Sequence, residues 1–387
     1  MLEFINQELE SLKESGLYRE LRTIEKINGP HITIKGKELI NFCSNDYLGL
    51  SQHLKIKEKA IEIIKDFGLG AGASRLISGH TIIHEELEKK IAKFKGREAA
   101  IVFPTGYMAN LGVITSLVDE KDTVIIDRLN HASIIDACRL SRAKLQVYPH
   151  KDVSTLEKIL QRSTSYRRRL IITDSVFSMD GDLAPLPEIC KLAQKYQAML
   201  MIDEAHATGV IGKTGRGLEE YYEMEGKVDI VMGTLSKALG SLGGFVAASN
   251  ELIEYLRNKA RSFIYTTALS PSICAASLVA IEIIENQAEL ISKLWQNIEF
   301  FSHRLSSLVP RPSSAIIPIL IGELDKTMEI SNKLFDHGIF LSGIRPPTVP
   351  KGQCRLRLTI TAAHSKEDLE CLASLLRELI PDAEKLL

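Results

Sequence analysis

Lys237 occupies a position in which a lysine amine can act as a nucleophile. It follows the apolar run DIVMG (229–233) and precedes a glycine-rich turn that contains Gly240, Gly243 and Gly244. A lysine between a buried strand and such a turn is more readily desolvated than a surface lysine. Because desolvation lowers the pKa of an amine, it favours the neutral, nucleophilic form. The spacing therefore indicates a reactive lysine.

A carboxylate and a histidine follow the preceding apolar run. Asp203 ends AMLMID, Glu204 comes directly after it, and His206 lies three residues beyond Asp203. A carboxylate at the mouth of a buried strand is costly unless a cation meets it. An aspartate at a strand end can also simply cap the following turn, so this pattern gains weight only beside Lys237.

Other polar residues follow further apolar runs. Gly106 and Tyr107 come after AAIVF, where a helix is predicted to begin, and a helix N-terminus offers N–H groups to a phosphate. His131 follows TVIID, and a polar loop with Ser178 follows LIITD. Glycine is common at such turns, and a single histidine after a strand is more often structural.

Taken together, these residues match the needs of pyridoxal phosphate (PLP). This cofactor requires a lysine for its aldehyde, a carboxylate for its pyridinium nitrogen and a cup for its phosphate. Lys237, Asp203 and the Gly106–Tyr107 turn supply these parts. No GxGxxG motif opens the first βα unit and no GxxxxGK[ST] motif occurs, so the nucleotide-binding interpretations have little support.

Short apolar runs alternating with helical segments must position these residues. The runs are AAIVF (99–103), TVIID (123–127), LQVY (145–148), LIITD (170–174), AMLMID (198–203), DIVMG (229–233) and GFVAA (244–248). The helical segments include 107–117, 132–140, 153–161 and 186–197. The pattern predicts an α/β fold, with a mostly parallel seven-stranded sheet covered by helices. Ligands of such sheets bind at the carboxyl ends of the strands.

Three regions are expected along the chain. Residues 1–45 are predicted to form an amphipathic helix over the first 25 residues, followed by short strands. Residues 46–270 are predicted to form the large PLP-binding domain. Residues 271–387 read as a long helix (271–308) and a smaller α+β domain with a final helix from 366.

Composition narrows the class of function. The 387 residues include 48 basic and 49 acidic side chains, a net charge of −1, so no basic field attracts nucleic acid or anionic lipid. Six scattered cysteines without C-x-x-C spacing indicate reduced thiols and no metal site. The charged N-terminus and the lack of a long apolar run favour a cytoplasmic protein.

Seven motifs carry a family resemblance from about residue 39 to 380. They are NFCSNDYLGL, GASRLISG, HASIIDA, VFSMDGD, IDEAHATGVIG, TLSKALGSLGG and IRPPTVPKGQCRLRLTITAAH. In these motifs the chain resembles the α-oxoamine synthases, which are fold-type I PLP enzymes. The resemblance implies a homodimeric acyltransferase that joins an amino acid to an acyl thioester with loss of CO2. One departure is Asp174, a position that is often Glu in the family.

The resemblance also implies roles for cofactor residues. Lys237 would hold PLP as a Schiff base and move protons, and Asp203 would pair with the pyridinium nitrogen. His206 would bond the phenolic oxygen, and His131 would stack on the ring, contact substrate and polarise the thioester. The remaining cofactor contacts would come from Gly106, Tyr107, Ser178 and Thr234, and from Thr266 and Thr267, which match positions that meet the phosphate of the partner subunit.

Substrate residues are implied in the same way. Arg345 of IRPPT would bind the amino-acid carboxylate bidentately, and Thr348 in the same loop would touch substrate. Arg19 would contact the acyl group, and Asn45 of SNDYLGL would face the active site.

Within the family, SNDYLGL and the IRPPTVP loop favour the branch that joins L-alanine to a pimeloyl thioester in biotin biosynthesis. Glycine C-acetyltransferase, or another α-oxoamine synthase, is the alternative because it shares every cofactor residue. An aminotransferase would leave both motifs unexplained. A subunit that binds PLP without activity is the non-enzyme alternative, which the presence of Lys237 disfavours. Whether the acyl group arrives on CoA or on acyl carrier protein is left open.

Overall fold

The computed structural model describes residues 2–306 and 312–380. Its internal contacts divide the chain into two units. The larger unit comprises residues 46–178 and 182–292. The smaller unit combines residues 2–45 with residues 179–181, 293–306 and 312–380.

The α-helices and strands, in chain order, have the following bounds. The helices are α1 (Glu3–Glu14), α2 (Leu54–Phe67), α3 (Ile82–Lys95), α4 (Gly106–Leu117), α5 (Ala132–Ser141), α6 (Val153–Arg162), α7 (Leu186–Lys195), α8 (Leu218–Tyr221), α9 (Asn250–Lys259), α10 (Arg261–Ile264), α11 (Pro271–Asn286), α12 (Ala288–Arg304), α13 (Leu324–Asp336) and α14 (Lys366–Leu379). The strands are β1 (Lys26–Asn28), β2 (His31–Ile34), β3 (Lys37–Asn41), β4 (Ala99–Phe103), β5 (Thr123–Asp127), β6 (Lys144–Tyr148), β7 (Arg169–Asp174), β8 (Met199–Asp203), β9 (Ile230–Thr234), β10 (Gly244–Ala248), β11 (Ile316–Gly322), β12 (Ile339–Phe340), β13 (Gly343–Ile344) and β14 (Cys354–Thr359).

A seven-stranded sheet forms the core of the larger unit. Its strand order is β4–β10–β9–β8–β7–β5–β6. Strand β10 is antiparallel to both of its neighbours, β4 and β9, and β5 to β9 pair in parallel. All residues of β5, β9 and β10 are buried, as expected for strands covered by helices on both faces. The predicted α/β fold with a mostly parallel sheet is confirmed.

The carboxyl edge of this sheet carries polar side chains. Strands β9, β8, β7 and β5 end on Thr234, Asp203, Asp174 and Asp127. Because these strands are parallel and adjacent, the four residues lie along one edge. This edge is where parallel sheets hold their ligands.

The start of α4 packs closely on β10 at the same edge. A Cβ atom built on Gly244 would lie 2.7 Å from the Gly106 nitrogen and 2.7 Å from the Thr105 carbonyl oxygen. Only glycine therefore permits this approach of strand to helix. Thr105 caps α4 by accepting the Met108 N–H at 3.1 Å, which leaves Gly106 as the first helical residue.

The smaller unit contains two small sheets, with strand orders β1–β2–β3–β12 and β11–β14–β13. The predicted amphipathic helix over the first 25 residues is wrong in length. Helix α1 ends at Glu14, and Gly16 turns the chain with a φ of 68°. The apolar spacing of Leu17 and Leu21 belongs to an irregular segment beyond that turn.

The predicted long helix over 271–308 is also wrong, because it is two helices separated at Gln287. Helix α11 is apolar over most of its surface and packs against α2 and α3 in the larger unit. The larger unit therefore runs to residue 292, beyond the expected boundary at 270.

The described residues contain neither a disulfide bond nor a cluster of metal-binding side chains, and none of their helices could span a membrane. All six cysteines are unpaired thiols. Across residues 2–306 and 312–380, no group of three or more His, Cys, Asp or Glu side chains could hold a metal ion. In the same stretches, every helix is too short or too polar to cross a membrane.

A buried ion pair anchors the turn that follows β8. The Lys95 ammonium donates to Glu204 Oε2 at 2.6 Å, to Thr208 Oγ1 at 2.8 Å and to the Arg216 carbonyl at 2.6 Å. The Lys95 and Glu204 side chains are only 2% and 1% exposed. Lys95 thus supplies a cation for one of the two carboxylates at the end of β8, and it holds the turn that carries His206.

We predict that Lys95→Met lowers the free energy of unfolding by about 3–5 kcal/mol, because it leaves the Glu204 charge buried and unpaired. Denaturant unfolding measures this change. The control is Lys93→Met on the exposed face of α3, which we expect to alter stability by less than about 0.5 kcal/mol. The double variant Lys95→Met/Glu204→Gln should recover part of the loss, and equal effects at Lys95 and Lys93 would contradict the role of the pair.

Candidate active site

The carboxyl edge of the sheet opens into a cavity of about 250 Å³. Predicted cofactor residues lie together around it. They are Gly106, Tyr107, His131, Ser178, Asp203, His206, Thr234 and Lys237. Their neighbours in the lining include Asn110, Ser133, Asp174 and Ser236, to which the sequence analysis assigned no role in the site.

Lys237 lies in the loop after β9, with its amine directed at a histidine. Its Nζ atom is 2.9 Å from His206 Nε2, and His206 Nδ1 is 2.6 Å from the Tyr47 hydroxyl. Tyr47 is fully buried. His206 therefore links the hydroxyl of Tyr47 to the amine that is predicted to carry the cofactor.

Asp203 presents an acceptor carboxylate to the cavity. Its Oδ1 accepts the Ala205 N–H at 2.9 Å, and its Oδ2 accepts the Asn110 side-chain amide at 2.8 Å. Both oxygens therefore act as hydrogen-bond acceptors, as those of an ionised carboxylate do. A buried negative charge at this point suits a protonated ring nitrogen.

His131 caps α5 and is held in its neutral form. Burial lowers its pKa and the positive charge of Lys237 lowers it further, while Asp203 opposes both effects. Its Nδ1 accepts the Ser133 N–H at 3.2 Å, so the proton of the neutral ring belongs on Nε2. His131 can therefore donate a hydrogen bond through Nε2 to a substrate oxygen.

The N-terminus of α4 and Thr234 form a cup for an anion. Gly106 and Tyr107, the first two residues of α4, line the cavity together with Thr234, and a helix N-terminus offers N–H groups to an anion. A Cβ on Gly106 would lie 3.0 Å from Met232 Cε, so the cup is closely packed. Tyr107 is 44% exposed and its hydroxyl donates to Asp136 at 2.6 Å, which leaves only its backbone for an anion.

The donor set around this cavity fits pyridoxal phosphate. An amine, an acceptor carboxylate and a capped helix N-terminus border one space, as its aldehyde, ring nitrogen and phosphate require. Two buried lining oxygens, Asn110 Oδ1 and Asp174 Oδ1, have no hydrogen-bond partner within residues 2–306 and 312–380. The lining thus keeps polar capacity for a ligand.

The predicted substrate residues lie in the smaller unit. Arg19, Arg345 and Thr348 line a cavity of about 680 Å³. Burial lowers the pKa of Arg345 and the charge of Arg19 lowers it further, so two positive charges meet here. Such a site favours an anion such as a carboxylate. Asn45 is not among the residues that line this cavity; its Oδ1 lies 3.3 Å from both terminal nitrogens of Arg357.

Thr266 and Thr267 do not line the cavity of their own chain. Both follow α10, where Thr266 is half-buried and Thr267 is exposed. Their predicted role concerns the phosphate of the partner subunit, and that role stays a prediction.

Tyr47 and Asn110 contact predicted site residues but were not predicted from the sequence. Tyr47 belongs to SNDYLGL, where only Asn45 was assigned a role. Asn110 lies four residues after Gly106 and hence on the same face of α4, a spacing that could have identified it. Its contact with Asp203 joins residues 93 positions apart, which local patterns do not reveal.

Comparisons with known proteins agree with this geometry. The family Aminotransferase class I and II matches residues 37–376. The 8-amino-7-oxononanoate synthase of Thermoanaerobacter pseudethanolicus is 50% identical, over 95% of this chain and 94% of that protein. Its counterpart in Citrifermentans bemidjiense is 48% identical, over 96% and 97%. A serine palmitoyltransferase structure from S. paucimobilis with a bound PLP–myriocin aldimine is similar, with a TM-score of 0.93 and 31% identity over 99% of this chain and 98% of that one.

We predict that Tyr47→Phe weakens PLP binding roughly 3- to 10-fold, because His206 loses its buried hydroxyl partner. Absorbance titration of the apoprotein measures this affinity. The matched control is Tyr255→Phe, which removes a hydroxyl that donates to the Ser116 carbonyl outside the cavity and should change the affinity less than about twofold. Equal losses in the two variants would contradict the assigned role of the Tyr47–His206 contact.

Proposed function

The chain belongs to the aminotransferase class I and II family and, within it, to the 8-amino-7-oxononanoate synthases, and we propose that it joins L-alanine to a pimeloyl thioester. It is a PLP-dependent enzyme of the acyltransferase type. The proposed reaction forms 8-amino-7-oxononanoate, CO2 and a free thiol, in biotin biosynthesis. The observation that carries the proposal is that Lys237, Asp203 and His131 line one cavity, in a chain that is 50% identical in sequence to such a synthase.

Lys237 is the proton carrier of the proposed reaction. PLP, when bound, withdraws electrons from the α-carbon of the amino acid, so that its C–H and C–CO2 bonds can break. The neutral Lys237 amine accepts the α-proton of alanine. After the new carbon–carbon bond has formed and CO2 has left, the same amine returns a proton to the α-carbon. His206, 2.9 Å from Lys237 Nζ, keeps that amine oriented.

Asp203 and His131 supply the electrostatics. Asp203 places a buried negative charge against the ring nitrogen and so keeps this nitrogen protonated. Neutral His131 donates from Nε2 to the thioester carbonyl oxygen, where negative charge develops when the α-carbon attacks. A neutral imidazole suits this task because it donates without adding a second cation beside Lys237.

Two arginines divide the recognition of the substrates. Arg345 takes the carboxylate of alanine, for which its planar fork provides two parallel N–H donors. Arg19, whose Nη2 donates to the Pro346 carbonyl at 3.4 Å, contacts the acyl substrate. The Thr348 N–H donates to the Arg345 carbonyl at 3.1 Å, and this backbone hydrogen bond orders the turn that carries Thr348 beside Arg345. The same assignments apply whether the pimeloyl group arrives on CoA or on acyl carrier protein.

We also propose a homodimer in which Thr266 and Thr267 reach the phosphate site of the partner subunit. Their position outside the cavity of their own chain is compatible with this role. We place the reaction in the cytoplasm, because six unpaired cysteines suit a reducing compartment.

A substrate comparison tests the proposed function. We predict that L-alanine with pimeloyl-CoA gives at least about a 10-fold higher kcat/KM than glycine with acetyl-CoA, since apolar pockets discriminate on this scale. Thiol release measures both rates. Lys237→Ala is the control and should lose at least about 100-fold in kcat. A preference for glycine with acetyl-CoA would identify a glycine C-acetyltransferase, and bound PLP without turnover would identify an inactive subunit.

The arginine assignments predict a divided effect on KM. Arg345→Lys should raise the KM for alanine roughly 10- to 100-fold, because the amine cannot reproduce two parallel charge-assisted hydrogen bonds. The KM for the acyl thioester should stay within about threefold of wild type. Arg19→Lys is the matched variant, for which the acyl KM should rise instead. A rise in the acyl KM alone for Arg345→Lys would refute the assignment.

A further inference from the structure

Three buried aspartates end adjacent strands at the cofactor edge of the sheet. Asp203 ends β8, Asp174 ends β7 and Asp127 ends β5, and these strands are neighbours in that order. Their exposures are 5%, 4% and 1%. Charged carboxylates this deeply buried need cations or several hydrogen-bond donors. The three aspartates differ in the cations and hydrogen-bond donors that surround them.

Asp127 has a cation of its own. Its Oδ1 is 3.0 Å from His150 Nδ1 and accepts the Leu129 N–H at 2.8 Å, and its Oδ2 accepts the Lys151 N–H at 2.8 Å. Burial opposes the charge on His150, but hydrogen bonds to Asp127 and Asp182 outweigh it and raise the pKa of His150 to about 9. Asp127 is therefore a carboxylate paired with an imidazolium.

Asp203, on the other side, accepts a hydrogen bond at each oxygen and faces the site proposed for the ring nitrogen. Asp174 lies between these two carboxylates and accepts fewer hydrogen bonds than either of them. Its Oδ2 accepts the His131 backbone N–H at 2.9 Å, but its Oδ1 has no hydrogen-bond partner in the described part of the chain.

The groups that face Asp174 explain its state. Burial raises the pKa of Asp174 well above its ordinary value, and the negative charges of Asp203 and Asp127 raise it further. The His131 N–H and the charge of Lys237 act in the opposite direction. Tyr148, at the end of β6, also interacts with Asp174, and burial raises the pKa of its hydroxyl, so it adds no charge.

We infer that Asp174 is a positioning residue that works as an uncharged carboxylic acid. Its Oδ2 holds the backbone of His131, and its proton leaves Asp203 as the negative charge that faces the cofactor nitrogen. Of the six oxygens of the three aspartates, Asp174 Oδ1 is the one that receives no N–H from the described residues, so the proton belongs there. The inference rests on the proposed placement of PLP and Lys237.

The same substitution at neighbouring strand ends tests this inference. Asparagine matches aspartate in size but is uncharged, so Asp174→Asn should preserve the holoenzyme, whereas Asp203→Asn should not. The readout is the pH midpoint of the visible absorbance of PLP bound to Lys237. We expect Asp174→Asn to keep this midpoint within about 0.3 pH unit, and Asp203→Asn to shift it by a full pH unit or more. A midpoint shift of a full pH unit or more in Asp174→Asn would show a charged Asp174 and overturn the inference.

The pH dependence of unfolding gives a second test that needs no substrate. A carboxyl whose pKa is raised in the folded state binds a proton that the unfolded chain releases above its ordinary pKa of about 3.9. Folding is then favoured at low pH and loses that advantage as the pH rises. Relative to Asp174→Asn, the wild-type folding equilibrium constant should fall as the pH rises from 5 to 7, by at most about tenfold per pH unit.

The control for this test is Asp119→Asn. Asp119 is exposed and its pKa is lowered by the Lys121 N–H and by Arg167, so its difference from wild type should stay constant over the same range. A constant difference for Asp174→Asn as well would overturn the inference.

If Asp174→Asn does not fold, infrared spectra of the wild-type holoenzyme can still report the protonation state of Asp174. Aspartate labelled with ¹³C at the side-chain carboxyl should show the carbonyl stretch of a protonated group at neutral pH, and its absence would overturn the inference. If the protein releases no thiol from alanine and pimeloyl-CoA, the proposed function is wrong. The unfolding and infrared measurements would still test the protonation state of Asp174.

Discussion

The need to compensate negative charge at one edge of a parallel sheet governs this structure. Parallel strands that are buried on both faces bring their carboxyl ends together, and here three of these ends are aspartates. Each charge in such a place needs a cation, hydrogen-bond donors or a proton. His150 meets this need for Asp127, and the proposed ring nitrogen meets it for Asp203. A proton is the remaining solution for Asp174.

Other elements of the larger unit serve the same edge. Gly244 lets α4 approach β10, which brings the N-terminus of the helix to the cavity. The Lys95–Glu204 pair secures the turn after Asp203, and Tyr47 secures His206 from the other side. The N-terminus of α4, the turn after Asp203 and His206 are thus held by contacts with residues outside the predicted site. The geometry of the site therefore depends on buried polar contacts as well as on apolar packing.

Regular structure is readable from the sequence wherever burial leaves a simple pattern. The strands of the large sheet lie within a residue or two of their predicted positions, because each is a short apolar run ended by polar residues. The failures come where the pattern is ambiguous. Leu17 and Leu21 continue a helical spacing beyond Gly16, but its positive φ ends the regular backbone there. The apolar residues of α11 and α12 form one continuous pattern, yet they belong to two helices that meet at Gln287.

Fold class and cofactor follow from the amino-acid sequence alone, as does the prediction that Lys237 is the reactive lysine, because strand burial and residue type are local properties. The same patterns place Asp203, His206 and Gly106 at strand ends. The hydrogen-bond partners of the residues at the end of β8 and just after it depend instead on how the chain folds. Lys95 pairs with Glu204, Tyr47 with His206 and Asn110 with Asp203. The inferred protonation of Asp174 is of the same kind. It depends on charges brought together from separate strands, since the electrostatic energy of a group is set by its neighbours in space.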